Sequence, residues 1–283
     1  MKNLDIILLI FLIHFTVACL GQEENKGNLF IIGGGERPAA LMQSMISSAD
    51  LKAEDYIIIL PMASSIPDTV TQTISRQINS LVVNKIVGFN FKKDEPIDSN
   101  RLDSLQNAKL IYITGGDQNK FMNIVLNTPI HKAIKAAYKN GSTIAGTSAG
   151  AAVMSKVMIT GQQKTEDNPS DFEKIWYNNV ATSEGLGLIE KVIIDQHFIA
   201  RSRFNRLISV MADYPETMCI GIDESTAILV QNEIATVLGE AQVVVLSKPT
   251  IISSKAERII TIEDLNFSLL SQGNTFKINV FLK

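Results

Sequence analysis

The sequence predicts an α/β fold: a mostly parallel β-sheet covered by helices on both faces. Two observations carry this. Short apolar runs alternate with longer helical stretches along most of the chain, the pattern of repeated strand-helix-strand units. Several of those runs end in glycine-rich or acidic turns, and in parallel sheets ligands bind beyond the carboxyl ends of the strands. A chain of 283 residues with 46% hydrophobic content has ample material for one packed core, and no linker or internal repeat divides it.

The N-terminal segment belongs to targeting rather than to that core. Lys2 is followed by the apolar run Ile6 to Val17, broken only by His14, and then by Ala18-Cys19. This is the layout of a secretory signal, too short to cross a bilayer comfortably. Thr16-Val17-Ala18-Cys19 resembles a bacterial lipoprotein processing box that would leave Cys19 as a lipidated first residue; ordinary cleavage after Ala18 is the rival. Residues 1–19 are thus assigned to the signal sequence, with Cys19 the residue that cleavage would leave first. The remainder is expected at the cell envelope as a lipoprotein, otherwise periplasmic or secreted, with membrane contact through an N-terminal lipid alone. Cys219, in Met218-Cys219-Ile220, reads as a small buried hydrophobe, and no internal disulfide is expected.

The first buried strand is Asn28 to Ile32, running into Gly33-Gly34-Gly35-Glu36, with a helix from about Pro38. The triglycine does not match G-x-G-x-x-G, so dinucleotide binding is set aside. Tyr56 to Leu60 is the second strand, followed by a helix from Asp68 to Leu81 that Asp68 could cap. Lys85 to Phe89 is a third strand, Asn100 to Leu105 a short helix, and Lys109 to Ile113 a fourth strand ending at Thr114-Gly115-Gly116-Asp117-Gln118. Without side chains beside them, the Gly115 and Gly116 N–H groups could point into a site. A helix from Ile130 to Lys139 then leads through Asn140-Gly141 to a fifth strand, Ser142 to Ala145.

Gly146-Thr147-Ser148-Ala149-Gly150 follows that strand and opens a helix, so Ser148 would sit on a nucleophile elbow, with the helix's positive end favouring an oxyanion. Taken alone, the pentapeptide could equally mark tight packing. Gly161 to Asp171, leading to Trp176, is a loop or hairpin that either covers the site or packs on the surface. Val192 to Ile194 ends at Asp195-Gln196-His197, and Phe204, Leu207, Ile208 and Met211 mark a helix whose apolar face needs no functional explanation. Met218 to Ile222 ends at Asp223-Glu224. Ala227 to Val230, Val243 to Leu246 and Thr275 to Leu282 suggest an antiparallel extension and a β-rich C-terminal segment over 240–283.

A serine nucleophile needs a base, and elimination points to one. Of three histidines, His14 lies in the signal and His131 is expected to be exposed early in a helix. His197, just past a strand end, is left. Its orienting carboxylate could be Glu224, Asp223 or Asp195. The chain order Ser, His, acid differs from the Ser, acid, His order of α/β-hydrolases, and no HGGG-type motif is present. The net charge of −3 and pI of about 5.7 give no footprint for nucleic acid, and no Cys/His/acid spacing suggests a metal.

Taken together, Gly146 to Ala151, Asp195-Gln196-His197-Phe198 with Arg201, Arg203 and Arg206, and Gly221-Ile222-Asp223-Glu224 resemble the cyanophycinase branch of the peptidase family that also contains aspartyl dipeptidases. The resemblance covers roughly Leu29 to Leu238 and implies a class I glutamine amidotransferase-like fold in a single peptidase domain over 28–283, with 240–283 as an extension. It implies Ser148 as nucleophile, His197 as base, Glu224 as orienting acid, and substrate binding by Gln118, Asp195, Gln196, Arg201, Arg203 and Arg206. The oxyanion would be held by the N–H of Ala149 with one from Gly115 or Gly116. The implied reaction is hydrolysis of a β-aspartyl-arginine polyamide to β-Asp-Arg dipeptides, without cofactor, and the resemblance also suggests a homodimer. On the residues alone, the arginines could instead pair with acids and Gln118 could only brace a turn; because the resemblance assigns the acid to Glu224, it implies a structural role for Asp223. An α-aspartyl dipeptidase and a non-catalytic envelope peptide-binding protein are the alternatives.

Overall fold

The computed structural model describes residues 26–164, 172–251, 253, 256 and 258–278; the signal, Cys19 and part of the 161–171 stretch lie outside them. The first half contains β1 (Leu29–Ile32), α1 (Ala39–Ala49), β2 (Tyr56–Leu60), α2 (Pro67–Asn79), β3 (Lys85–Gly88), α3 (Ser99–Gln106), β4 (Leu110–Ile113), α4 (Gln118–Val125), α5 (Pro129–Lys139), β5 (Thr143–Thr147) and α6 (Ala149–Ala152). There follow β6 (Val157–Gln163), β7 (Val180–Glu184), β8 (Val192–Gln196), α7 (Phe204–Asp213), β9 (Met218–Ile222), β10 (Thr226–Gln231), β11 (Ile234–Gly239), β12 (Val243–Ile251), β13 (Ile262–Leu270) and β14 (Thr275–Lys277).

An eight-stranded sheet in the order β14-β11-β10-β1-β5-β4-β2-β3 forms the centre. Its five strands from β1 to β3 run parallel, and β10, β11 and β14 extend it with antiparallel pairings. All four residues of β1 are fully buried: Leu29 and Ile31 enter the core on one face, Phe30 and Ile32 the core on the other. That is the period-2 geometry of a strand covered on both sides, and each such side chain contributes about 1.5–3 kcal/mol of transfer free energy.

One expectation about connectivity fails. β8 and β9, which lead to His197 and Glu224, are not in the central sheet. They pair parallel in a separate four-stranded sheet, β13-β12-β9-β8, completed by the antiparallel β12 and β13. The 240–283 segment supplies β12, an interior strand of that second sheet, and β14, at the edge of the first. A β6-β7 hairpin forms the third pairing.

Two local expectations are also corrected, and Trp176 takes the surface-packing alternative. Asp68 does not cap α2: Ile66 holds the cap position, Pro67 starts the helix, and Asp68 lies in the first turn, where its charge still suits the helix's positive end. His131 is buried, with Nε2 at 2.9 Å from the Leu186 carbonyl and Nδ1 accepting the Asn127 N–H, so it ties α5 to the segment entering β8. Trp176 stacks against Lys174 and Arg258, 4.4 and 3.7 Å from its ring, and bridges to Ile259 in a local surface cluster. Cys219 is a free, buried thiol, and burial pushes its pKa far up.

Candidate active site

Ser148 sits where β5 breaks into α6, at φ 53° and ψ −109°, a conformation a side-chain-bearing residue holds only when its surroundings impose it. The imposition is visible. The Ser148 N–H donates to the Ile32 carbonyl at 3.0 Å, a Cβ on Gly146 would lie 2.3 Å from the Gly150 carbonyl oxygen, and one on Gly150 would lie 2.2 Å from that of Ile113. The glycines of G-T-S-A-G are therefore required by close backbone approach. α6 spans only four residues, so the expected contribution of a helix macrodipole is small and individual N–H groups must stabilise charge here.

From the second sheet, the other two groups converge on that hydroxyl. Ser148 Oγ lies 2.8 Å from His197 Nε2, and His197 Nδ1 lies 2.5 Å from Glu224 Oε1. With Nδ1 donating to the carboxylate, Nε2 is left to accept the serine proton. Gly33-Gly34-Gly35 form the seat of this pair. The His197 N–H donates to the Gly33 carbonyl at 2.8 Å, and the Ser225 N–H donates to that of Gly34 at 2.9 Å. A Cβ on Gly34 would stand 2.3 Å from the His197 ring, and one on Gly35 2.7 Å from the Glu224 Cβ. The triglycine thus serves to admit the imidazole and the carboxylate.

Burial holds the His197 pKa below its ordinary value; the Glu224 hydrogen bond opposes this, and the charges of Arg201 and Arg203 reinforce it. The imidazole is consequently neutral, and able to take a proton, at neutral pH. Gly115 lies beside Ser148, 3.4 Å from its Cβ to an ideal glycine Cβ, and Gly116 adopts φ 135° against the Ala63 carbonyl. Among the described residues, the N–H groups of Gly115, Gly116 and Ala149 have no backbone acceptor, which leaves them available to an oxyanion.

A cleft of about 850 Å³ opens from Ser148, with Gln118, Gln196, Arg201, Arg203 and Arg206 among its lining. Arg201 precedes α7 and is exposed. Arg203 donates to the Gln196 carbonyl at 2.5 Å and to its side-chain oxygen; burial and the neighbouring Arg206 lower its pKa to about 10. Gln118 donates its amide to the carbonyls of Ile159 and Thr160, so it braces β6 while also lining the cleft.

Asp195 is the predicted site residue that the structure keeps out of the cleft. Its side chain is fully buried and is paired with Arg206, whose Nε donates at 2.8 Å and whose Nη2 also donates to it; the Gln196 N–H donates to it as well, and Arg203 Nη1 stands 3.8 Å away. Asp223 is likewise structural, accepting the N–H groups of Ile199 and Ala200. Gly161 and Gln162, from the stretch expected to cover the site or pack on the surface, line the cleft from the β6-β7 side, and with them Thr160, Phe172 and Glu173, which sequence reasoning missed. Their only signal was a polar excursion after β6. No group of three His, Cys, Asp or Glu side chains among the described residues is placed to hold a metal ion.

A serine, a histidine and a carboxylate in one hydrogen-bonded line, on an elbow of an α/β sheet, define a serine hydrolase, and comparison with known proteins makes it a peptidase. The chain belongs to Peptidase family S51, whose profile matches residues 29–238. It is 30% identical over 267 residues to a cyanophycinase of Nostoc sp., covering 90% of this chain and 87% of that protein. It is also 26% identical over 162 residues to a Peptidase E of Actinobacillus pleuropneumoniae, covering 54% of this chain and 64% of that one. In fold it matches the crystal structure of a peptidase from an acI-B1 Actinobacterium with a TM-score of 0.65 at 24% identity, over 90% of this chain and 98% of that one.

Proposed function

We propose that this chain is an exported serine exopeptidase that hydrolyses cyanophycin-like β-aspartyl-arginine polymers to β-Asp-Arg dipeptides. The observation that carries the reading is the line from Ser148 Oγ through His197 to Glu224, at 2.8 and 2.5 Å, opening on an arginine-walled cleft. Ser148 attacks the amide carbonyl as His197 Nε2 takes its proton, and Glu224 holds the tautomer and stabilises the imidazolium. Negative charge on the carbonyl oxygen is met by the N–H groups of Ala149 and of Gly115 or Gly116. Collapse expels the amine, protonated by His197, and leaves an ester on Ser148. Water, deprotonated by the same imidazole, then releases the acid and regenerates the hydroxyl. Arg201 and Arg203 hold substrate carboxylates.

The test is incubation of the purified protein with cyanophycin and mass spectrometry of the products, with Ser148→Ala as the control. β-Asp-Arg from the unsubstituted protein alone is expected. Absence of release, with Ser148 still labelled by a serine-reactive probe, would keep the hydrolase and reject this substrate. The Peptidase E relationship supports a second reading, an α-aspartyl dipeptidase, which turnover of Asp-X dipeptides in the same assay would favour.

The parallel strand order and the elbow after β5 support a class I glutamine amidotransferase-like arrangement, which superposition on a solved member would test. The Ile6 to Val17 run before Ala18-Cys19 supports export as a lipoprotein. A diacylglyceryl mass on the Cys19 sulfur would support it, and an unmodified Cys19 thiol at the mature N-terminus would refute it. The resemblance supports a homodimer, to be checked by sedimentation.

A further inference from the structure

The polymer proposed above presents a guanidinium as well as carboxylates, and the cleft must meet both. Asp195, the acid the sequence offered for the guanidinium, is fully buried and engaged by Arg206 and the Gln196 N–H. A substrate could use it only by displacing a buried ion pair, which is strongly unfavourable. Two other carboxylates line the cleft, Asp117 and Glu173.

They differ in availability. Asp117 Oδ1 caps α4, accepting the N–H groups of Asn119 and Lys120 at 2.8 and 3.3 Å. The Glu173 carboxylate is exposed and has no hydrogen-bond or ion-pair partner among the described residues. Its backbone is nevertheless fixed: Asn205 Nδ2 donates to the carbonyls of Phe172 and Glu173 at 2.9 and 3.1 Å, and the Phe172 ring lies 5.3 Å from the Arg206 guanidinium. The 172–173 segment is therefore held on α7, the helix that bears Arg206 and follows Arg201 and Arg203. One wall of the cleft then carries cations for substrate carboxylates and, adjoining them, one unengaged carboxylate.

We propose that Glu173 binds the cationic side chain of the substrate and that Asn205, by holding the 172–173 segment, positions it. This rests on the peptidase reading but can be tested apart from it. Binding of β-Asp-Arg and of its neutral β-Asp-citrulline counterpart is measured by calorimetry to Ser148→Ala protein, alone and combined with Glu173→Gln, Asp117→Asn or Asn205→Ala. A charge-assisted pair predicts a preference for arginine over citrulline of about 10- to 100-fold. Glu173→Gln should abolish it by weakening only the arginine ligand, Asn205→Ala should reduce it, and Asp117→Asn should leave it. No preference at the outset, a preference that survives Glu173→Gln, or its loss in Asp117→Asn overturns the assignment. If cyanophycin is not hydrolysed by the protein with Ser148 intact, yet Glu173→Gln erases the binding preference, the proposed reaction falls and the Glu173 site stands. Hydrolysis with an unaltered preference in Glu173→Gln overturns the site alone.

Discussion

Gly34→Ala is the substitution whose effect can be worked most directly from the structure. The added methyl would stand 2.3 Å from His197 Cε1 and 2.4 Å from Nε2, whereas non-bonded carbon contacts need about 3.5 Å. The imidazole must therefore retreat by about 1 Å, and a misplacement of that size costs about 100-fold in turnover. Gly34 also has φ 118°, a conformation that disfavours alanine. That strain is of order 1–3 kcal/mol, or roughly 2–10 °C in melting temperature for a chain of this size. Gly141→Ala separates the two effects: Gly141 has φ 93° but nothing lies within 4 Å of an ideal Cβ, so it should lose stability and keep turnover. Turnover of cyanophycin and the rate of labelling by a fluorophosphonate probe, each beside a thermal melt, are the assays. Gly34→Ala within threefold of the unsubstituted protein in both rates would refute the claim that the triglycine seats His197.

Other outcomes follow from the same geometry. Glu224→Gln should retain the fold and lose turnover by about 10⁴-fold, since an amide does not hold the tautomer that leaves Nε2 free to accept; steady-state kinetics and circular dichroism check this. Because burial depresses the His197 pKa, the acid limb of the pH–turnover profile should lie below pH 6.5. The sign for stability agrees: below the unfolded pKa, the unfolded chain binds the proton first, so the stability due to neutral His197 is present above pH 6.5 and is lost as pH falls through the folded value. A limb above pH 6.5 would contradict the depressed pKa. Asp195→Asn leaves Arg206 buried without its counter-charge and should cost about 3–5 kcal/mol, a fall of roughly 6–20 °C in melting temperature. A melt unchanged by that substitution would count against the pair.

The nucleophile and its base were legible in the sequence because each lies at a strand end and carries a restricting signal, whereas the residues narrowed the acid only to Glu224, Asp223 or Asp195 and the resemblance chose Glu224. Ser148 has its flanking small residues and His197 is left by elimination, but Asp223 and Glu224 follow the same apolar run, which does not choose between them. Asp195 was misread for a packing reason. It alternates with Ile193 onto the face of β8 covered by α7, where Arg206 lies buried beside Leu207 and Val210. Only the docking of the helix reveals that pair. The division into two sheets was equally hidden, since an apolar run specifies a strand but not its neighbour, and β9's antiparallel neighbour, β12, arrives about twenty residues later. The cleft residues Phe172 and Glu173 lie in irregular chain, where periodicity carries no information.

The division of the strands has a consequence for how activity is acquired. Ser148 is delivered by one sheet, and His197 with Glu224 by another, so the reactive hydroxyl gains its base only when the two sheets are seated on each other. Each layer could complete its own backbone pairing and still be chemically inert. Reactivity toward a serine probe is then a gauge of alignment between layers. During refolding it should appear after the secondary structure has formed, which would leave a newly made chain harmless until its last large-scale adjustment is complete.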